Sequence, residues 1–299
     1  MRGLGTNRKH LRDYLAAYLF LFPSLIIGIT FVVIPIITII PLSLTNWDLI
    51  TGRKTFIGFE NYFYLFQQPK FFKSIINTFY FAGVKVILDL ILSLFFAVLL
   101  NKAIRGVKIF RIAFFSPVVT STVAVAMVWI WLFDPSLGPF NQILQFFGLR
   151  PLKWLYDPRW AMPSLILFSL WKGLGYDILI FLAGLQSIPQ ELIEAAMVDG
   201  ADSWRTFRYI TLPLLSPVIY FVVLIGTINA FKIFEQVSVM TPGGGPLYST
   251  GVIVYYIYEL AFQSGALGRA AAASVILFGM VLALNMVQRK VGRKYVVAE

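Results

Sequence analysis

Three pairs of opposite charges interrupt otherwise apolar stretches of the sequence: Lys85 with Asp89, Lys172 with Asp177, and Lys232 with Glu235. A charge at the centre of a bilayer costs roughly 2.5–3.5 kcal/mol on insertion scales, so such side chains face a protein interior or a water-filled path. Lys85 and Asp89 stand four apart on one helical face, and Lys232 and Glu235 three apart, so each pair can neutralise itself. Lys172 and Asp177 are five apart, a poorer match on one face, which sends at least one of them to another partner. They bracket Gly173, Gly175 and Tyr176, where small residues can thin or break a helix beside solvent. Covalent chemistry has little to work with. There are no cysteines, which excludes disulfides and thiolate metal sites, and the single histidine, His10, has no second imidazole with which to share a metal. No nucleophile–base motif stands out, and the phosphate-binding pattern G-x-x-x-x-G-K-[S/T] is absent, so the chain supplies no ATP hydrolysis of its own.

The elements that must carry these charges follow from composition. Of 299 residues, 59% are hydrophobic and only 13% charged, against about a quarter charged in a soluble domain. Six stretches, about 15–42, 73–100, 108–133, 161–187, 212–238 and 268–288, are long and apolar enough to cross ~30 Å of hydrocarbon. Lipid offers backbone groups no partners, which leaves helices or a closed barrel; runs that do not alternate choose helices. The sequence therefore predicts an all-α membrane protein with six transmembrane helices in one domain over 1–299. The first apolar run is too long for a signal-peptide core and lacks a small-residue cleavage site, so it is expected to be retained. Beside the spans, 14 Lys and Arg fall on the side of the two tails and eight on the other, which places both termini in the cytoplasm. The net charge of +11 then reads as anchoring to anionic lipid. No basic patch is interleaved with exposed aromatics, so nucleic acid is not an expected partner.

Three outer loops alternate with two inner ones. The first, about 43–72, holds Gly58-Phe59-Glu60-Asn61-Tyr62 and is aromatic and amphipathic rather than flexible. The second, about 134–160, opens with the turn signals Asp134-Pro135 and Gly138-Pro139. The third carries Gly243, Gly244 and Gly245 between Pro242 and Pro246, which no helix tolerates. It is either a plain turn or a loop that touches a partner or lines the outer mouth. The inner loop 188–211 is different in kind. Pro189 suits a first helical turn and Glu191 favours its dipole. The helix should stop at Gly200, after which Asp202 or Ser203 can cap a second helix carrying Trp204, Phe207 and Ile210. Two short helices about a glycine make a compact knob. Its acidic first half (Glu191, Glu194, Asp199, Asp202) would be repelled by an anionic leaflet, which argues for a basic protein partner.

These residues carry a resemblance. Glu194-Ala195-Ala196, Asp199-Gly200-Ala201, Phe207, Ile210, Leu212-Pro213 and Pro217 are similar to the EAA loop of permease subunits of bacterial ABC importers. Phe181 through Pro189 before the loop, and Phe234 through Thr241 with the Gly-Gly-Pro at 244–246, resemble the carbohydrate-uptake branch: permeases for maltose, other oligosaccharides and glycerol-3-phosphate. The likeness extends over nearly the whole chain. It implies the type I ABC importer permease fold in the bacterial plasma (inner) membrane, with 188–211 as a cytoplasmic coupling loop. It also implies a second homologous permease subunit, two ATP-binding subunits that hold ATP and Mg, and an extracytoplasmic substrate-binding protein. No cofactor or metal is expected in this chain. By position, Glu194 would pair with a basic residue of the ATPase groove, and Ala195 and Ala196 would pack closely against it. Gly200 would form the bend, with Asp199, Ala201 and Phe207 beside it. Gly243, Gly244 and Gly245 would lie in the segment that reaches toward the binding protein.

The resemblance also puts sugar contacts in span four and in span five near Gly226, Asn229 and Ala230. A neutral sugar needs hydroxyl partners and an aromatic face. Tyr176, Asp177 and Asn229 beside Gly173 meet those needs, with Lys172 and Lys232 as donors. This chain has Ala230 and Lys232 where some relatives carry asparagines, and two lysines would also suit a phosphorylated or acidic substrate. A proton-coupled secondary transporter using Asp89, Asp177 or Glu235 is the alternative from another class. It leaves the inner knob without a purpose.

Overall fold

The computed structural model describes residues 4–47, 52–101 and 106–295, with backbone alone for 4–13, 15, 16, 107, 108 and 293–295. The chain divides into two units, one from Met1–Leu65 and Leu260–Ile276, the other from Phe66–Glu259 and Leu277–Glu299. In the first unit, α1 (Leu4–Gly28) runs through a π turn (Ile29–Val33) into α2 (Ile34–Ser43). The most apolar window of Ala17–Ser43 has a mean hydropathy of 2.8 and none of it is buried, so its side chains are left for lipid or another subunit. A hairpin follows, β1 (Thr45–Trp47) antiparallel to β2 (Lys54–Phe56) with Asn46 opposite Thr55; a reading of the chain as wholly helical missed it. Then comes α3 (Glu60–Gln67), whose Asn61 explains the loop: its amide donates to Ser43 O at 2.8 Å and Thr45 O at 2.9 Å.

The second unit begins with α4 (Pro69–Leu100), whose 32 residues span about 48 Å at 1.5 Å per residue. Small residues, Ser74, Thr78, Ala82, Ser93 and Ala97, recur along its buried face and let a neighbouring helix approach closely. Their hydroxyls are satisfied one turn back, Thr78 Oγ1 to Ser74 O at 2.7 Å for example. The third apolar stretch is not one helix. It is α5 (Val107–Val119) and α6 (Thr122–Leu132), which meet at 104°. Pro117 removes a donor, and Thr120 and Ser121 are extended, so the ladder stops there.

Beyond it lie α7 (Pro139–Phe146), a 3₁₀ turn (Trp154–Tyr156) and α8 (Ala161–Gln186), which packs along α4 and α5. The segment after α8 holds α9 (Gln190–Val198), α10 (Ser203–Thr206), a π turn (Phe207–Thr211) and α11 (Leu212–Leu214). The fifth stretch is likewise interrupted. α12 (Ser216–Phe231) starts after a 63° bend, with Pro217 in its first turn, and ends before a separate α13 (Glu235–Met240). α14 (Ile253–Tyr258), a π turn (Glu259–Gln263) and α15 (Leu267–Tyr295) complete the chain. Among the described residues four helices are long and apolar enough to cross a membrane, and six when each bent pair counts as one span. One core of the second unit gathers Phe81, Trp129, Phe133, Phe168 and Phe231; another gathers Ala97, Leu174, Ile178, Phe181, Leu185 and Leu215 around the inner ends of α4 and α8.

Candidate coupling elbow and translocation path

The elbow between α9 and α10 is built from backbone hydrogen bonds. Gly200, at φ +80°, lets its N–H reach Met197 O at 3.1 Å while Ala201 N reaches Ala196 O at 2.9 Å. This reciprocal pair is a Schellman C-cap, and a Cβ at that φ is disfavoured. Asp202 then caps the next helix, its carboxylate accepting from Arg205 N at 2.7 Å. Glu191 occupies the first turn of α9, with Pro189 one position earlier as its cap. Glu194, Ala195, Asp199 and Gly200 are exposed, and Ala201 and Phe207 half-buried. Ala196 is the exception: it is buried in the chain, so only Ala195 of the small pair is free for close contact. Trp204, expected on the second helix, is 69% exposed, and Val198 and Tyr209, at 87% and 75%, extend the apolar surface beside it. A cavity of about 210 Å³ lies at the base of the elbow, lined by Val98, Asn101, Leu185, Ile193, Met197 and Phe207. It joins the inner ends of α4 and α8 to the elbow.

The charged interior is rearranged relative to expectation. Lys85 pairs with Asp89 on α4 as their spacing allows, both nearly buried. Asp177 of α8 is buried and lies within electrostatic reach of both. Gly173 faces the same lysine; a Cβ there would sit 3.7 Å from Lys85 Nζ, and one on Gly226 of α12 would sit 3.8 Å from Val86. Lys172 points elsewhere. Its ammonium donates to Pro117 O at 2.8 Å, Val118 O at 3.1 Å and Thr120 O at 3.0 Å, capping the broken end of α5. An ammonium has three donors, and all three are used. Lys172 is therefore a structural cap rather than a spare substrate donor. Lys232 is exposed in the cap of α12, and the ion pairs among the described residues are Lys70–Glu259 and Lys85–Asp89. The pairing of Lys232 with Glu235 fails because the helix ends at Phe231 and the i,i+3 geometry is lost. Tyr176 and Asn229 are exposed, whereas Ala230 and Asp177 are buried.

The triple glycine is a folded feature. Gly243, Gly244 and Gly245 all have φ between +72° and +79°, and Leu247 and Tyr248 follow at +53° and +59°. Left-handed backbone at two non-glycine residues costs on the order of 1–3 kcal/mol each, so surrounding contacts must hold it. The Tyr248 ring lies over Gly244 and Gly251, where any Cβ would collide with it. Gly244 is buried beneath that ring, which leaves Gly243 as the exposed member of the three. Thr250 N donates to Gly244 O at 2.9 Å and Gly243 N to Tyr255 Oη at 2.8 Å. Burial first, and then the Glu259 carboxylate, raise the Tyr248 phenol well above its ordinary value, so it remains a donor. In the second outer loop Asn141 is the hub, its amide bonding Pro135, Leu152 and Trp154 at 2.9–3.0 Å. The nearby Asp134 carboxyl is held below its usual range by the Leu137 and Ser136 N–H groups.

The family model described as binding-protein-dependent transport system inner membrane component matches residues 89–297. The chain is 34% identical over 290 residues to the trehalose/maltose transport system permease protein MalF of Thermococcus litoralis, covering 96% of this chain and 97% of that one. It is 33% identical to the sn-glycerol-3-phosphate transport system permease protein UgpA of Pectobacterium atrosepticum, covering 97% and 98%. Its structure is similar to a chain of a bacterial ABC transporter involved in the import of the acidic polysaccharide alginate, with a TM-score of 0.84 and 28% identity over 97% and 99% of the two chains. A second crystal structure, of the alginate transporter in complex with an alginate pentasaccharide-bound periplasmic protein, gives 0.83 and 27% over 96% of each.

Proposed function

The chain belongs to the family of binding-protein-dependent transport system inner membrane components, and from that premise we propose that it forms half of the translocation path of an ATP-driven importer for a neutral oligosaccharide. It is a translocating subunit and not an enzyme. The observation that carries the coupling reading is the elbow: two short helices locked about Gly200, with Glu194, Asp199 and an apolar rim of Val198, Trp204 and Tyr209 turned outward. An acidic and aromatic knob of this kind fits a basic groove on a separate ATPase, where ATP and Mg would be held. Contact across an apolar core with a charged hot spot favours a specific, well-registered joint. A second homologous permease, two copies of the ATPase and an extracytoplasmic binding protein complete the assembly. Both termini lie in the cytoplasm in this reading, and the outer loops face the binding protein.

The charge pattern around Lys85, Asp89 and Asp177 supports a neutral substrate. Relatives include permeases for trehalose/maltose and for glycerol-3-phosphate, and the similar solved transporter imports an acidic polysaccharide. An anion would need an uncompensated cation on the path. Lys85 is neutralised by Asp89, with Asp177 adding a further negative charge nearby, and the Lys172 ammonium has its three donors occupied by carbonyls, which leaves Lys232, exposed after the end of α12, as the one of these lysines open to an anion. Sealed vesicles carrying the assembled transporter test the reading. Uptake of a maltooligosaccharide panel should require internal ATP and survive a protonophore. Uptake that collapses with the protonophore and ignores ATP would instead make Asp89 or Asp177 a proton carrier. Preferential uptake of glycerol-3-phosphate would overturn the neutral assignment.

A further inference from the structure

The outer loop between α13 and α14 is fastened to the first turns of α4 by a set of contacts that neither sequence motif nor coupling scheme uses. Glu259 is at their centre. Its Oε1 pairs with Lys70 Nζ at 2.9 Å and its Oε2 accepts from the Tyr248 hydroxyl at 2.7 Å. The same ammonium stands 4.3 Å from the centre of the Tyr248 ring, a cation–π contact, so the three side chains form a closed triangle. One turn along, Lys73 Nζ donates to Leu247 O at 2.5 Å. A further turn on, Asn77 donates to Tyr248 O and Gly251 O, both at 3.0 Å, and Thr78 Oγ1 accepts from Ile253 N at 2.9 Å. Successive turns of one helix thus hold a strained loop by its own backbone carbonyls.

The carboxylate is 12% exposed, whereas Lys70 keeps about half its surface, so the clasp closes over a buried acid. At the crest, Leu247 is 79% exposed although its carbonyl is tied down. A loop that were only a connection would have no need of left-handed residues pinned at so many points with an apolar side chain held outward.

We propose that Glu259, with Lys70 and Tyr248, is a positioning clasp that makes the loop 241–253 and the outer end of α4 one rigid body, so that an extracytoplasmic binding protein docking on the Leu247 crest acts directly on α4. This rests on the reading of that loop as the outer, binding-protein side. From there α4 carries the effect inward, since it bears Lys85 and Asp89 and lies along α8. Glu259 touches no substrate; it acts through the loop.

The test uses the whole complex in nanodiscs, measuring ATPase stimulation as purified binding protein is titrated. Glu259→Gln and Lys70→Met should leave basal ATPase unchanged and raise the half-maximal binding-protein concentration at least tenfold. Tyr248→Phe should raise it by a smaller factor. Lys70→Arg, which keeps the cation, should retain the wild-type value. The exchange Lys70→Glu with Glu259→Lys should recover part of what the single changes lose. A wild-type titration in Glu259→Gln, with the complex intact, would overturn the clasp. If Glu259→Gln fails to assemble, an unaltered titration in Tyr248→Phe and Lys70→Met does the same. If the wild-type complex shows no response to the binding protein, while Leu247→Asp is equally silent, the outer-docking reading itself fails, which is a separate result.

Discussion

Removing the Lys172 ammonium should release the bend in the third span. In Lys172→Met the side-chain length is kept and three charge-assisted hydrogen bonds are lost. Pro117 O keeps the Thr120 hydroxyl at 2.6 Å, so its loss is covered. The Val118 and Thr120 carbonyls lose their lysine donor, and an orphaned carbonyl away from water costs about 1–3 kcal/mol. The Thr120 contact is exposed, so water recovers part of its share, and the sum is about 2–4 kcal/mol against the bent state. At 1.4 kcal/mol per factor of ten, that shifts a two-state balance between bent and straightened forms by roughly 30- to 700-fold. The chain has no cysteine, so a pair introduced at the exposed positions Phe110 and Met127 can be spin-labelled without background. Pulsed dipolar spectroscopy should show one narrow distance in the wild type and a broader, longer distribution in Lys172→Met, with uptake reduced at least tenfold. Lys172→Arg retains donors, though its planar fork fits three converging carbonyls less well, and should fall between. A distribution in Lys172→Met superimposable on the wild type, together with normal uptake, would refute the capping argument.

At the elbow, Glu194→Lys reverses the exposed charge and should abolish uptake and ATPase co-purification while membrane insertion, read by fractionation, is unchanged. Gly200→Pro cannot reach φ +80° and loses the N–H bonded to Met197 O, a change of about 3 kcal/mol or more that should unfold the joint and stop uptake. Asp177→Asn removes a buried charge beside Lys85 and Asp89; uptake should change while the complex still assembles on size-exclusion chromatography, and loss of assembly would contradict its place on the path. Gly184→Val puts carbon into space already held by Val218 and Leu215, at about 1–3 kcal/mol of overpacking, and should lower the melting temperature of the purified complex.

How much of this was legible beforehand depended on range. Gly200 and Asp202 are local signals, since a C-cap and an N-cap act within four residues, and the elbow could be drawn from them. Lys85 with Asp89 was legible for the same reason: one helical turn separates them. Lys172 could be suspected only of seeking a partner, because its carbonyls lie 52 to 55 residues earlier and exist as acceptors only once the helix has broken. The break itself had a signal in Pro117 followed by Val118, Val119, Thr120, Ser121 and Thr122, but the apolar run around it outweighed that cue. Pro213 and Pro217 likewise marked the bend before α12, where hydropathy alone drew one long span. Ala196 was read as free because a small residue fits either a buried or a contacting face. The clasp was hidden altogether: Lys70 and Glu259 are 189 residues apart and each is unremarkable in its own segment.

The two broken spans and the unbroken α8 are related by glycine. A glycine in a helix interior costs about 1 kcal/mol relative to alanine, so three of them in α8 need a use. Gly175 lies against the backbone of Phe114 in α5, where a Cβ would collide with the carbonyl. Gly184 lies against Leu215 and Val218, at the bend that precedes α12, where a Cβ would come within 2.9 Å of both side chains. Gly173 leaves room beside the Lys85 ammonium. With Lys172 stapling the end of α5, this single helix grips one broken span beside its break and the other at its bend, and then leads through Ser187 and Pro189 into the elbow. A displacement applied to the elbow therefore reaches α8 on one side of it, while α11 leads directly into α12 on the other. It passes to α5 and α12 at points where their backbone ladders are already interrupted, so that turning there breaks no further backbone ladder bonds, and at α5 only the Lys172 contacts resist it. Close backbone approach makes the transfer stiff, since contacts at glycine have no side chain to bend. That division, a continuous helix that transmits and broken ones that yield, is what a channel half driven from one end requires.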